Sequence, residues 1–138
     1  MASYVKFLSF VENVAEKVHN LGSDTLTVAL CAAANAPVNT NTVLANLTQV
    51  SYTYCSARAL TISTSAQTAG VYKLVIADLT LTASGGTVGP FRYVIIYNDT
   101  ATNDELICWH DYGSDITLAA GESILLDFSV TNGLLQIT

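Results

Sequence analysis

The spacing of hydrophobic positions changes once along this chain, near residue 23, and the change separates two kinds of element. Before it the spacing is helical. Tyr4, Phe7, Leu8, Val11, Val14, Ala15 and Val18 fall on one stripe, with Lys6, Glu12, Asn13, Glu16 and Lys17 on the other faces. Gly22 stands where such a helix would stop. The β-branched and aromatic residues of the stripe leave an extended arm as the other reading of residues 1–22. Phe7 and Phe10 share one edge of the stripe, which suits docking onto a sheet or a neighbouring subunit.

From Ser23 onward the period is that of strands. Residues 25–31 alternate, with Leu26, Val28 and Leu30 on one face. Residues 32–42, AAANAPVNTNT, predict a loop; Thr42 is placed to cap a short helical turn over 43–47, and a strand is expected over 59–63. Between 71 and 83 the phase flips: Tyr72, Leu74 and Ile76 face one way, Leu79 and Leu81 the other. Such a flip predicts a bulge or bend near Ala77 and Asp78, which lets one stretch of chain serve two sheets. Ser84–Thr87 and Gly89-Pro90 read as a loop. Phe91 to Tyr97 is almost continuously apolar and predicts burial on both faces. A polar tip over 98–104 joins it to a second strand. In the tail, Ile124, Leu126, Phe128 and Val130 alternate with polar or outward positions. Asn132-Gly133 then signals a tight hairpin back into Leu134–Ile137. About eight strands with closely spaced turns and no βαβ rhythm predict a mainly β fold. The expected architecture is an antiparallel β-sandwich or jelly roll, a single domain over 1–138 with a short N-terminal helix or arm.

Composition sharpens this picture. Only 12% of the 138 residues are charged, about half the usual share, and Thr, Ser and Asn fill the deficit. A surface of hydroxyls and amides favours a subunit of an assembly over a free monomer. The net charge of −6 and five dispersed cations, Lys6, Lys17, Arg58, Lys73 and Arg92, argue against nucleic acid as a partner. Cys31, Cys55 and Cys108 lack any C-x-x-C spacing and read as buried small hydrophobes of a reducing compartment. No run reaches the length of a membrane span or of a signal-peptide core, so no membrane partner is expected.

One cluster, Cys108-Trp109-His110-Asp111, combines reactive residue types. Alternation puts Cys108 and His110 on one face of a strand and Trp109 and Asp111 on the other, a core arrangement rather than a ligand set. Gly113-Ser114-Asp115 lacks the elbow of a serine hydrolase and reads as a turn. An EF-hand register begun at Asp99 puts Asp104 where glycine belongs and His110 where glutamate belongs. Gly85-Gly86 and Gly89 lack the lysine and hydroxyl of a P-loop. No catalytic residue, cofactor or metal is expected.

Three stretches carry a resemblance: EKVHNLGSDTLTVAL, APVNTNTVLANLTQV, and SAQTAGVYKLVIADLTLTASGGTVGPFRYVIIYNDTATNDELICWHDYGSDITLAAGES. Together they span nearly the whole chain, and they resemble a family of small proteins encoded among the virion genes of tailed bacteriophages. The resemblance departs at Cys108-Trp109-His110, where a glycine and an aromatic are expected. It implies a non-enzymatic capsid decoration (cement) protein, made in the host bacterial cytoplasm and built into the virion. Its partners would be the major capsid protein and other copies of itself, with a trimer as one such homo-oligomer. Tyr4, Phe7, Phe10 and Val11 would be the capsid or subunit contacts. A tail, neck or baseplate component is the structural alternative. A carbohydrate-binding sandwich for host attachment is the other, using Trp109, Tyr97, Tyr112, Asn98 and Asp111.

Overall fold

The structure, a computed structural model, describes residues 3–138. It is mainly β, with nine strands and one short helix among the described residues. Strand β1 (Ser3–Lys6) leads into helix α1 (Phe10–Ala15), followed by β2 (Leu26–Cys31). A long irregular segment follows, with 3-10 turns at Ala33–Asn35 and Leu44–Asn46, before β3 (Ile62–Thr68) and β4 (Val71–Ile76). Next come β5 (Leu79–Thr82), β6 (Val88–Asn98), β7 (Leu106–Leu118), β8 (Ser123–Leu126) and β9 (Leu135–Ile137). All pairings are antiparallel, in sheets ordered β1-β7-β6-β2, β3-β4-β9 and β5-β8.

One core joins the sheets into a sandwich. Leu26, Val28, Leu30, Val94, Ile96, Ile107 and Cys108 from the four-stranded sheet meet Leu74, Ile76, Leu81, Leu126 and Leu135 from the other two. A second cluster covers the opposite face of the four-stranded sheet. There Ala29, Cys31, Tyr93, Ile95, Tyr97, Leu106 and Trp109 pack under Phe7, with Val5, Leu44 and Leu47 at the margin. β6 is therefore buried on both faces, as its continuous apolar run predicts, and the alternation of Leu26, Val28 and Leu30 toward one core holds. The flip at Ala77 and Asp78 is also real. β4 ends at Ile76, and β5 restarts at Leu79 in a different sheet.

Five local expectations are corrected. The N-terminal stripe does not form one helix: residues 3–6 pair with β7, and α1 is only six residues long. Backbone hydrogen bonding to the edge of β7 and burial of Phe7 against Trp109 outweigh the modest helix propensity of a Val- and aromatic-rich stretch. The helix stops well before Gly22, at Lys17 (φ 68), where Val18 N–H donates to Asn13 O and Lys17 N–H to Val14 O. This is the Schellman pattern with lysine in place of glycine. Thr42 does not cap the turn after it: the Asn46 side chain reaches back and accepts from the amides of Thr42 and Val43. The strand expected over 59–63 begins at Ile62 and runs on to Thr68, while Ala59 only bridges Thr27. Asn132-Gly133 does not fold β8 onto β9. Leu134 N–H donates to Leu74 O, and β9 joins β4 instead. Gly89-Pro90, expected in a loop, lies inside β6 at a register irregularity and carries a cis peptide bond.

Candidate functional site

The reactive cluster is core. Cys108 is fully buried, and burial pushes its thiol up to about 12. The Cys31 thiol rises to about 11 for the same reason. Thiols held this high carry almost no thiolate at neutral pH and are poor nucleophiles and ligands. His110 shares the inner face with Cys108, its ring edge-on to Phe128 at 6.0 Å, and burial pushes it down to about 4. Trp109 points to the other face, its ring 4.6 Å from Phe7. Asp111 forms a two-point ion pair with Arg92 (2.8 and 3.1 Å) and also accepts from Gly113 N–H. Its carboxyl is lowered chiefly by that Arg92 hydrogen bond. Among the described residues no three His, Cys, Asp or Glu side chains are grouped as metal ligands.

Of the residues considered for a sugar platform, three are buried. Trp109 and Tyr97 are buried under the loop that follows β2, and Asn98 is 0% exposed.

Asn98, which sequence reasoning placed in a solvent-facing tip, is a buried polar hub. Its Oδ1 accepts from Thr100 and Ala101 N–H at 3.0 and 3.1 Å. That fixes the amide orientation, so Nδ2 is the donor to Asp24 (2.7 Å) and to His19 Nδ1 (3.0 Å). His19 therefore carries its proton on Nε2, which has no hydrogen-bond partner among the described residues. Burial lowers the His19 pKa and outweighs the opposing pull of Glu105 and Asp24. The Asp-Asn-His set ties the turn before β2 to the β6–β7 hairpin across the open end of the sandwich. A cleft of about 1060 Å³ lies there, with Val14, Tyr72 and Ile137 among its apolar walls and Lys17, Asn103 and Glu105 among its polar ones. The sequence signal for the hub was an asparagine ending a doubly apolar strand, where a buried partner is required.

Of the four predicted contact residues, the structure buries two. Phe7 is 0% exposed, and Phe10 lies in the main core beside His19. Tyr4 (43%) and Val11 (55%) remain at the surface, as does Leu8. The sheet edges differ in a way the sequence pattern did not reveal. The outer edge of β2 is closed by the chain over 50–60: Val28 N–H donates to Arg58 O, Val50 N–H to Leu30 O and Leu60 N–H to Leu26 O. Arg58 stacks on Tyr52, whose hydroxyl accepts from Leu30 N–H. Among the described residues nothing covers the β3 edge in this way, and its seven residues, ISTSAQT, are uncharged.

No family model, curated protein or solved structure matches the chain.

Proposed function

We propose that this chain is a non-enzymatic structural protein of a tailed-phage virion: a capsid decoration protein that binds the major capsid lattice as a homo-oligomer. The observation that carries the reading is the disposal of side-chain chemistry. The one cluster of reactive types, Cys108 to Asp111, is spent on core packing and on an ion pair with Arg92. What the surface offers instead is hydroxyls, amides, an open strand edge and a few exposed apolar groups, Tyr4, Leu8 and Val11. Such a surface suits many small protein contacts repeated over a lattice, where multivalency supplies the affinity. The sequence resemblance to small tailed-phage virion proteins supports the same reading.

The test is a mass-spectrometric inventory of purified particles together with co-sedimentation of the purified protein with empty capsids. Hundreds of copies per particle and saturable pelleting are expected for decoration; about a dozen copies would indicate a neck or tail position. Absence from the particle overturns the reading.

A further inference from the structure

We propose that β3 is a self-pairing edge, through which two copies of this chain join antiparallel about a twofold axis at Ala66 and double the three-stranded sheet. The proposal names the contact behind the homo-oligomer of the preceding reading, but it rests on strand geometry alone.

Natural edge strands are guarded by brevity, lysine, proline, a bulge or a covering segment, because open backbone groups recruit other strands. The other edges here have such guards. β1 is four residues long and ends in Lys6, β8 and β9 have four and three residues, and β2 is covered by the chain over 50–60. β3 has seven residues, without lysine or proline, and its register irregularity lies at one end, between Ile62 and Thr64. Thr64 to Thr68 pairs regularly with β4 and leaves a regular outer edge.

Charge permits a second copy as the occupant, and the self-complementary register of the strand favours it. The chain carries −6 overall, so copies repel wherever carboxylates would face each other. β3 has none, and the outer face beside it presents Thr64, Ala66, Thr68, Val71, Gln136 and the single cation Lys73.

The register follows from the β3–β4 turn. Ala69 (φ 51) and Gly70 (φ 82) form a two-residue turn with both φ positive, and Thr68 pairs with Val71 beside it. That turn type makes Thr68–Val71 a hydrogen-bonded pair. Alternation then directs the N–H and C=O of Thr68, Ala66 and Thr64 toward β4, and those of Ser65 and Gln67 outward. Antiparallel self-pairing centred on Ala66 sets Ser65 against Gln67 of the partner subunit, exchanging both backbone hydrogen bonds, twice by symmetry. The two Ala66 residues then occupy the close, non-hydrogen-bonded position, where a small side chain lets the strands approach. Thr64 faces Thr68 of the partner subunit, a favourable cross-strand pair.

The test uses the full-length protein. Sedimentation equilibrium is expected to give a dimer that added salt does not dissociate, since no ion pair holds it and salt only screens the repulsion between copies. In a Cys55→Ser background, Ala66→Cys is expected to form an intersubunit disulfide under mild oxidation, because a non-hydrogen-bonded antiparallel pair has suitable geometry; Thr64→Cys is not. Ala66→Lys places two ammonium groups face to face and is expected to abolish the dimer while leaving the melting curve of the monomer cooperative. A monomeric wild-type protein whose Ala66→Cys form does not cross-link overturns the proposal. A dimer untouched by Ala66→Lys does so too, since the contact then lies elsewhere. Protection of Ser65 and Gln67 amides only on capsids would also overturn it, assigning the edge to a capsid strand. None of these outcomes bears on whether the protein is present in particles, which the inventory decides separately.

Discussion

Asn98 uses all of its hydrogen-bonding capacity, accepting twice through Oδ1 and donating twice through Nδ2 to Asp24 and His19. Truncation to alanine leaves the buried His19 Nδ1 without its donor and removes the acceptor of two turn amides, while Asp24 Oδ2 keeps the Asn20 N–H. Asn98→Ala is therefore expected to destabilise the fold by about 3 kcal/mol, read from urea denaturation. The two buried histidines make a second residue-scale prediction. Burial depresses the pKa of both in the folded state, His110 to about 4, against about 6.5 in an unfolded chain. Between those values the unfolded state binds more protons, so stability is full above pH about 6.5 and falls as the pH drops toward 4. For His110 the loss is up to about 3 kcal/mol across that window. His110→Leu is expected to flatten the stability profile between those limits while leaving the profile above them unchanged; an unaltered slope would mean that the acid sensitivity arises elsewhere.

At the level of elements, the N-terminal segment shows where sequence reading stopped. Its apolar stripe correctly marked a segment with a face to bury, but helix and strand were separated by a partner that periodicity does not contain: the open edge of β7, some hundred residues away. The same holds for the tail. Asn132-Gly133 marked a turn, yet only the fold shows that the chain beyond it pairs with β4. Gly133 sits at φ 73 with Leu74 O only 2.5 Å from where a Cβ would stand. Gly133→Ala is thus expected to cost about 2 kcal/mol and to raise amide exchange in β9 before other strands. By contrast, the burial of β6, the inward face of β2 and the break at Ala77 were legible, because each follows from which faces are apolar. For β1 the decisive residue is Phe7, fully buried against Trp109. Phe7→Ala is expected to cost about 3–5 kcal/mol and to red-shift Trp109 fluorescence as its cover is removed.

For the whole molecule, the structure changes which experiment can test the proposed capsid contact. Removing the N-terminal segment would strip β1 from the sheet and Phe7 from the second cluster, so lost binding would be confounded with lost stability. The predicted contact set was legible only as a segment, since sequence could not separate the aromatic residues that close the chain's own core from those left outside. Tyr4 and Val11 are the members that remain exposed, and Leu8 joins them. Leu8 and Val11 are each more than half exposed, whereas the Tyr4 ring also packs edge-on against His110 at 5.5 Å and so serves the fold as well. Replacing Leu8 and Val11 together by serine is expected to leave the melting temperature nearly unchanged, surface positions of this kind shifting stability by about 0.5 kcal/mol or less. On a lattice engaged by an oligomer, a small loss per subunit is multiplied by the number of contacts made together. The double variant is therefore expected to bind empty capsids at least about tenfold more weakly in co-sedimentation, which needs only about 1.4 kcal/mol in total. Wild-type binding by a variant that melts normally would exclude the N-terminal segment from the proposed capsid contact.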